Sequence, residues 1–225
     1  DYMNNAYINF SKEVEHIKKF GCIYDQIILE YPLLKKELDD MLRAQVVNIV
    51  SAMDCYIHEV VKVGIINTYL GKRTITSKCK NIPITLGNIF DIISIENEYK
   101  RETPDYEVSI ISCLDVLLKQ MFKSMSFQSV EKIKDALSYI WNEDHKMQSI
   151  VNSIDYDLKG DSKQKKIEYL EQKLKLIVTR RNQIVHEADW DYVNNCKYII
   201  TKEEVDDIIL FVEKFVGTIH NKLLS

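Results

Sequence analysis

Residues 163–187 read KQKKIEYLEQKLKLIVTRRNQIVHE, and their apolar spacing decides the fold class. Ile167, Leu170, Leu174, Ile177 and Ile184 fall on one stripe in steps of three and four, with Arg181 filling the gap between the last two. Such steps keep side chains on one face of a helix with 3.6 residues per turn, so the spacing predicts a long amphipathic helix over about 163–187. Arg181 stands where the pattern calls for Leu or Ile. A guanidinium on a buried seam is costly unless it is paired or lies at an interface or cleft. Local failures of patterning of this kind mark candidate functional positions.

The same periodicity extends through most of the chain. Met3, Tyr7, Phe10, Val14, Ile17, Gly21, Tyr24 and Ile28 form the seam of one long helix, or of two broken near Gly21, and Tyr31–Pro32 ends it. Leu38, Leu42, Val46, Ile49, Val50, Met53, Ile57, Val60 and Val61 line a second long helix, about Leu33 to Leu70. Gly71–Lys80 reads as a loop carrying Lys72, Arg73, Lys78 and Lys80 without an acid. Shorter helices are expected at about Ile84–Ser94, Tyr106–Phe122, Ser129–Trp141 and His145–Ile154, with Glu96–Asp105 a loop that includes Thr103–Pro104 and Asp155–Ser162 a turn. A polar loop, Asp189–Lys197, follows the Arg181 helix, and Val193–Ile200 holds at most a short strand. The last helix opens at Thr201-Lys-Glu-Glu204, which has the form of a capping box.

Composition agrees with this reading. Six Gly and three Pro in 225 residues leave few turns, which favours long helices and disfavours an all-β sandwich or a Gly-rich nucleotide-binding fold. The expectation is an all-α bundle of long antiparallel helices with shorter inserted ones. It forms one domain over 1–225, with 1–31 as a helical extension used in packing or dimerisation. A net charge of −4 excludes binding of polyanions by bulk charge alone. Cys22, Cys55, Cys79, Cys113 and Cys196 are scattered and odd in number, so neither a disulfide framework nor a cysteine zinc site is expected. His16, His145 and His220 lack partners at metal-ligand spacing, so no metal and no cofactor is expected. The most apolar region, Gln45–Ile66, carries Asp54, His58, Glu59 and Lys62, and residues 1–20 are polar and helix-like. A cytoplasmic protein without a membrane span is therefore expected.

The chemistry concentrates at the end of the 163–187 helix. Asn182 and His186 lie four apart and share a face, whereas Arg181 and His186, five apart, stand about 140° apart around an ideal helix. One isolated helix does not aim both at the same phosphate; either a helix–helix dimer or a site at a fraying helix end would bring them together. Taken alone, Arg181 also fits an ion pair that seals a helix interface, with His186 an ordinary surface residue.

Arg181-Asn182-Gln183-Ile184-Val185-His186 resembles the R-N-x-x-x-H motif of the HEPN superfamily, preceded by the amphipathic helix that bears it. SAMDCYIHEVV at 51–61 is similar to the second helix of RiboL-PSP-type HEPN domains, with Asp54 at an acidic position, and the capped helix after Thr201 also fits. The resemblance runs from about Leu33 to the C-terminus. It implies an all-α, HEPN-like domain that dimerises through the motif helices and acts as a metal-independent endoribonuclease of toxin or antiviral-defence type, held in check by an antitoxin or regulatory protein. Arg181, His186 and Asn182 are the implied catalytic residues and Asp54 a supporting one. The alternative is a non-catalytic HEPN-like module binding RNA or protein. In one subgroup a Tyr stands two places after the histidine; here Glu187-Ala188 follows, which argues against regulation by modification of that tyrosine.

From Lys159 to Arg181 eight basic residues face three acidic ones. With the 71–80 loop they suggest an RNA-backbone groove, with Lys72, Arg73, Lys173 and Arg180 as contacts, or else a solvated helix face. Trp190 and Tyr192 are placed either to stack on a base or to pack against the domain.

Overall fold

The computed structural model describes the backbone of residues 2–102 and 106–224 and the side chains of residues 3–91, 93, 94, 97 and 111–224. Four long helices make the body: α1 (Tyr2–Glu30), α2 (Lys35–Tyr69), α8 (Lys163–Glu187) and α9 (Lys202–Leu224). Between α2 and α8 come α3 (Ser77–Lys80), α4 (Leu86–Glu102), α5 (Tyr106–Phe122), α6 (Val130–Leu137) and α7 (Lys146–Val151). Only Tyr31 and a single 3₁₀ turn, Pro32–Leu34, separate α1 from α2, so the two run antiparallel side by side. The fold class is thus all-α, as the spacing predicts.

α2 is the central element and packs against α1, α5, α6, α8 and α9. Its predicted inward residues Leu42, Val46, Ile49, Val50, Met53, Ile57, Val60 and Val61 are all fully buried. Each such aliphatic side chain contributes about 1.5–3 kcal/mol by leaving water. Along 60–65 the helix is buried on every side, and Gly64 permits this: a Cβ there would lie 2.5 Å from Ile140 Cγ2. Met3, Phe10, Val14, Ile17 and Tyr24 of α1 belong to the same core cluster as α2 and α9.

α1 is a single helix through Gly21, the first of the two readings its seam allows, and a Cβ at Gly21 would stand 3.0 Å from Lys202 Cε and 3.1 Å from Gln45 Nε2. The glycine serves close approach there, and Gln45 Nε2 donates to Ile17 O at 2.8 Å across the same contact. Residues 96–102, expected as loop, continue α4, while Thr103–Pro104 lies outside the described residues. The polar loop after α8 contains a two-stranded antiparallel hairpin, β1 (Trp190–Asp191) with β2 (Cys196–Lys197), so the strand pairing begins earlier than the Val193–Ile200 window. Asp191 holds its turn by accepting from Val193 N and Asn194 N at 2.9 and 3.1 Å.

Among the described residues no helix is long and apolar enough to cross a membrane.

Candidate active site

α8 begins at Ser162, whose Oγ accepts from Lys165 N at 3.3 Å, and α9 begins at Thr201, whose Oγ1 accepts from Glu204 N at 3.2 Å. Ser and Thr at these positions satisfy donors that the first helical turn leaves open. Leu170, Leu174 and Ile177 turn inward and are buried, so the predicted stripe is the packed face of α8.

Arg181 lies on that stripe, half-buried. Its Nη1 donates to Asn182 Oδ1 at 3.0 Å, and its buried Nε meets no acceptor. Among the described residues no carboxylate pairs with it. Asn182 is half-buried beside it, and His186 is exposed on the last turn of α8. The two adjacent arginines therefore have opposite fates. Arg180, expected as an RNA contact, pairs through Nη1 with Asp189 Oδ1 at 2.6 Å, donates from Nη2 to Ile199 O at 3.0 Å, and lies 5.7 Å from the centre of the Tyr198 ring. The interface-sealing ion pair considered for Arg181 is made by its neighbour.

Asp189 is the residue that the sequence reading missed. It is 0 % exposed and lies between Arg180 and Arg43, whose Nε donates to Asp189 Oδ2 at 2.7 Å. Arg43 also donates to Tyr198 O at 2.7 Å and pairs with Asp40 at 3.2 Å, and Asp40 in turn pairs with Lys197 at 2.6 Å. α2, the end of α8 and the hairpin are tied at this point. Arg43 itself gave no signal, since the stripe passes from Leu42 to Val46 in a step of four without it. Its partner, 146 residues away, had no pattern of its own.

The supporting residues are placed differently from expectation. Asp54 accepts from Phe127 N at 2.6 Å and from Gln128 Nε2 at 3.4 Å, with His58 Nε2 3.9 Å away. It holds the chain entering α6, and its partners do not include Arg181. Eleven residues of α2 separate it from Arg43, a rise of about 16 Å. Arg73 donates to Leu223 O at 2.7 Å and Ile140 O at 3.1 Å, and burial lowers its pKa. It ties the end of α9 to the segment after α6. Lys173 pairs with Asp207 at 2.5 Å, and Tyr156 donates to the same carboxylate at 2.6 Å. Burial opposes the Lys173 charge, but these hydrogen bonds outweigh it and raise the pKa above the ordinary lysine value. Burial together with Asp207 pushes Tyr156 up to about 12. Of the proposed backbone contacts only Lys72 is exposed; Trp190 is half-buried on β1, and Tyr192 is exposed at the hairpin turn. Among the described residues no group of His, Cys, Asp and Glu is placed to hold a metal ion.

The arrangement offers an unneutralised guanidinium on the seam, an amide beside it, and an accessible imidazole one turn further along the same helix. A family model described as RiboL-PSP-HEPN matches residues 8–225, which includes most of α1 as well as Arg181 and His186. No curated protein and no solved structure matches the chain.

Proposed function

The chain belongs to the RiboL-PSP-HEPN family, whose domains are all-α and associated with RNA cleavage, and on that premise we propose that it is a metal-independent endoribonuclease. The observation that carries the reading is Arg181: a guanidinium on an apolar seam, its buried Nε without an acceptor and, among the described residues, no carboxylate to neutralise it. A buried donor left open is costly, and a phosphate oxygen satisfies it with a charge-assisted bond.

RNA supplies its own nucleophile, so the protein needs a proton-transfer group and a charge clamp. His186 takes the proton of the 2′-hydroxyl as that oxygen attacks the neighbouring phosphorus, or gives one to the departing 5′-oxygen; an imidazole can both accept and donate a proton and suits either task. Arg181 binds the non-bridging oxygens and stabilises the charge that builds on them. Asn182 Oδ1 already accepts from Arg181 and holds its fork in place. The P–O5′ bond breaks, with water exchanging whichever of the two protons His186 does not carry, leaving a 2′,3′-cyclic phosphate and a 5′-hydroxyl. Because Arg181 and His186 diverge by about 140° on one helix, the complete site combines the Arg181 of one copy with the His186 of a second, joined through the motif helices. The reaction uses groups common to all RNA, so an active enzyme endangers its own cell. The resemblance to the superfamily implies a toxin or antiviral-defence role, with an antitoxin or regulatory protein that restrains it.

The test is incubation of the purified protein with RNA in EDTA. Cleavage by the unaltered protein, lost in Arg181→Ala and in His186→Ala, is expected, with the cyclic phosphate identified by mass spectrometry. Cleavage that requires a divalent ion, or that survives His186→Ala, contradicts the mechanism. RNA binding without cleavage selects the non-catalytic module instead.

A further inference from the structure

We propose that Asp189 is a positioning residue for His186, a role that rests on the ribonuclease reading above. His186 is exposed, and none of the described contacts fixes its ring. Its place is therefore set by the backbone of the last turn of α8. Helix ends fray unless their open carbonyls and the following chain are held. Here the two residues after Glu187 are left-handed, Ala188 at φ 52° and Asp189 at φ 58°, and Asp189 N donates to Gln183 O at 3.1 Å. A left-handed alanine is strained and persists only where the surroundings over-determine it.

Asp189 provides that constraint. Three residues beyond His186, its carboxylate is fully buried, hydrogen-bonded by Arg43 of α2 at 2.7 Å and ion-paired with Arg180 of α8 at 2.6 Å. Its own carbonyl accepts from Tyr198 N at 2.9 Å, which adds the hairpin to the same anchor. One side chain thus fixes the end of the motif helix to the central helix. Two guanidinium groups already flank this carboxylate, so it is not the partner of Arg181, which has no carboxylate partner among the described residues. Without the Asp189 charge, Arg43 and Arg180 repel each other in a buried site, the hairpin loosens, and the turn bearing His186 is released. Arg181, further from the helix end and packed on the seam, keeps its place.

The full chain with Asp189→Asn separates this role from general destabilisation, because Asn tolerates the left-handed region about as well as Asp. Misplacing a reacting group by about 1 Å costs on the order of a hundredfold. In Asp189→Asn that remains folded by circular dichroism, kcat for RNA cleavage is expected to fall at least about tenfold, with KM within about twofold. The Cε1–Hε1 NMR signal of His186, assigned by its loss in His186→Ala, is expected to shift or broaden. A kcat within about twofold of the unaltered protein, or an unmoved His186 signal, overturns the proposal. An unaltered protein that cleaves no RNA overturns the ribonuclease reading alone, and the NMR signal then decides the positioning role by itself. Should Asp189→Asn fail to fold, Arg43→Lys carries the same measurements, since it keeps the positive charge and loses the fork.

Discussion

Arg43 Nε and Asp189 Oδ2 meet at 2.7 Å across 146 residues of chain, and that bond fixes the end of the motif helix against the central helix of the bundle. It also accounts for the different environments of two adjacent arginines. Arg180 completes the Asp189 cluster, whereas Arg181 has an amide neighbour and a buried donor without an acceptor. A charge compensated inside the fold contributes to structure; one left uncompensated on an apolar seam is available to a ligand.

Substituting each arginine in turn separates these roles. Arg180→Ala leaves Asp189 with one partner and breaks a buried pair, a loss of about 3–5 kcal/mol. For a chain of this size each kcal/mol lowers Tm by about 2–4 °C. Arg181→Ala removes a buried donor that has no acceptor, so its Tm should stay within about 2 °C of the unaltered protein, while cleavage falls about a hundredfold or more. Thermal unfolding and cleavage on the same preparations check both, and a large Tm loss in Arg181→Ala would identify it as a structural residue.

The helices were legible because their apolar steps are local: the α2 stripe from Leu38 to Val61 and the α8 stripe from Ile167 to Ile184 are the faces that pack. Arg181 stood out for the same reason, as one residue that breaks a periodic row. What sequence could not give is pairing across long separations. Asp54 faces residues 127 and 128, and Arg73 and Lys173 end in α9, because the shorter helices between α2 and α8 bring their chain back over the bundle. Asp189 looked like an ordinary polar loop residue, since its burial depends on two arginines that no local pattern places beside it.

Gly64 sits where α2 is surrounded, and Gly64→Ala brings a Cβ to 2.5 Å from the Ile140 side chain. Overpacking of this kind costs about 1–3 kcal/mol, which outweighs the gain of up to about 1 kcal/mol in helix propensity. The expected outcome is a lower denaturation midpoint in urea with an unchanged slope. A midpoint that rises would show that Ile140 moves aside freely.

His220 gives the fold a pH dependence of known sign. It is buried, its ring stacked on Tyr7 at 4.3 Å, with Nδ1 3.3 Å from the Tyr56 hydroxyl. Burial holds its pKa below the ordinary 6.5. The unfolded chain therefore binds a proton at higher pH than the folded one, and stability falls as pH drops below 6.5 towards the folded value. His220→Phe keeps the stack and leaves the Tyr56 hydroxyl unpaired. It should be less stable near neutral pH yet lose less Tm between about pH 7 and pH 5. Equal slopes for the two proteins across that range would remove His220 from the account.

Asp54 is expected to matter for stability and not for chemistry. Asp54→Ala leaves Phe127 N without its acceptor at the entrance to α6, a loss of about 1–3 kcal/mol. Cleavage per folded molecule should be retained, because its partners lie on the 127–128 segment. If the variant unfolds normally but does not cleave, the carboxylate acts at the site through a second copy.

The divergence of Arg181 and His186 makes the two-copy site testable without a structure of the dimer. Arg181→Ala and His186→Ala are each expected to be inactive alone. In a mixed dimer, one site draws both missing groups and is dead; the other draws the intact Arg181 of one copy and the intact His186 of the other. Random exchange makes half the dimers mixed, so an equimolar mixture should recover about a quarter of the unaltered activity. Were both groups of one site to come from the same chain, every site in every dimer would lack one of them, and mixing would recover nothing. Light scattering on the same mixture confirms that dimers are present, so the absence of recovery places the whole site on one chain.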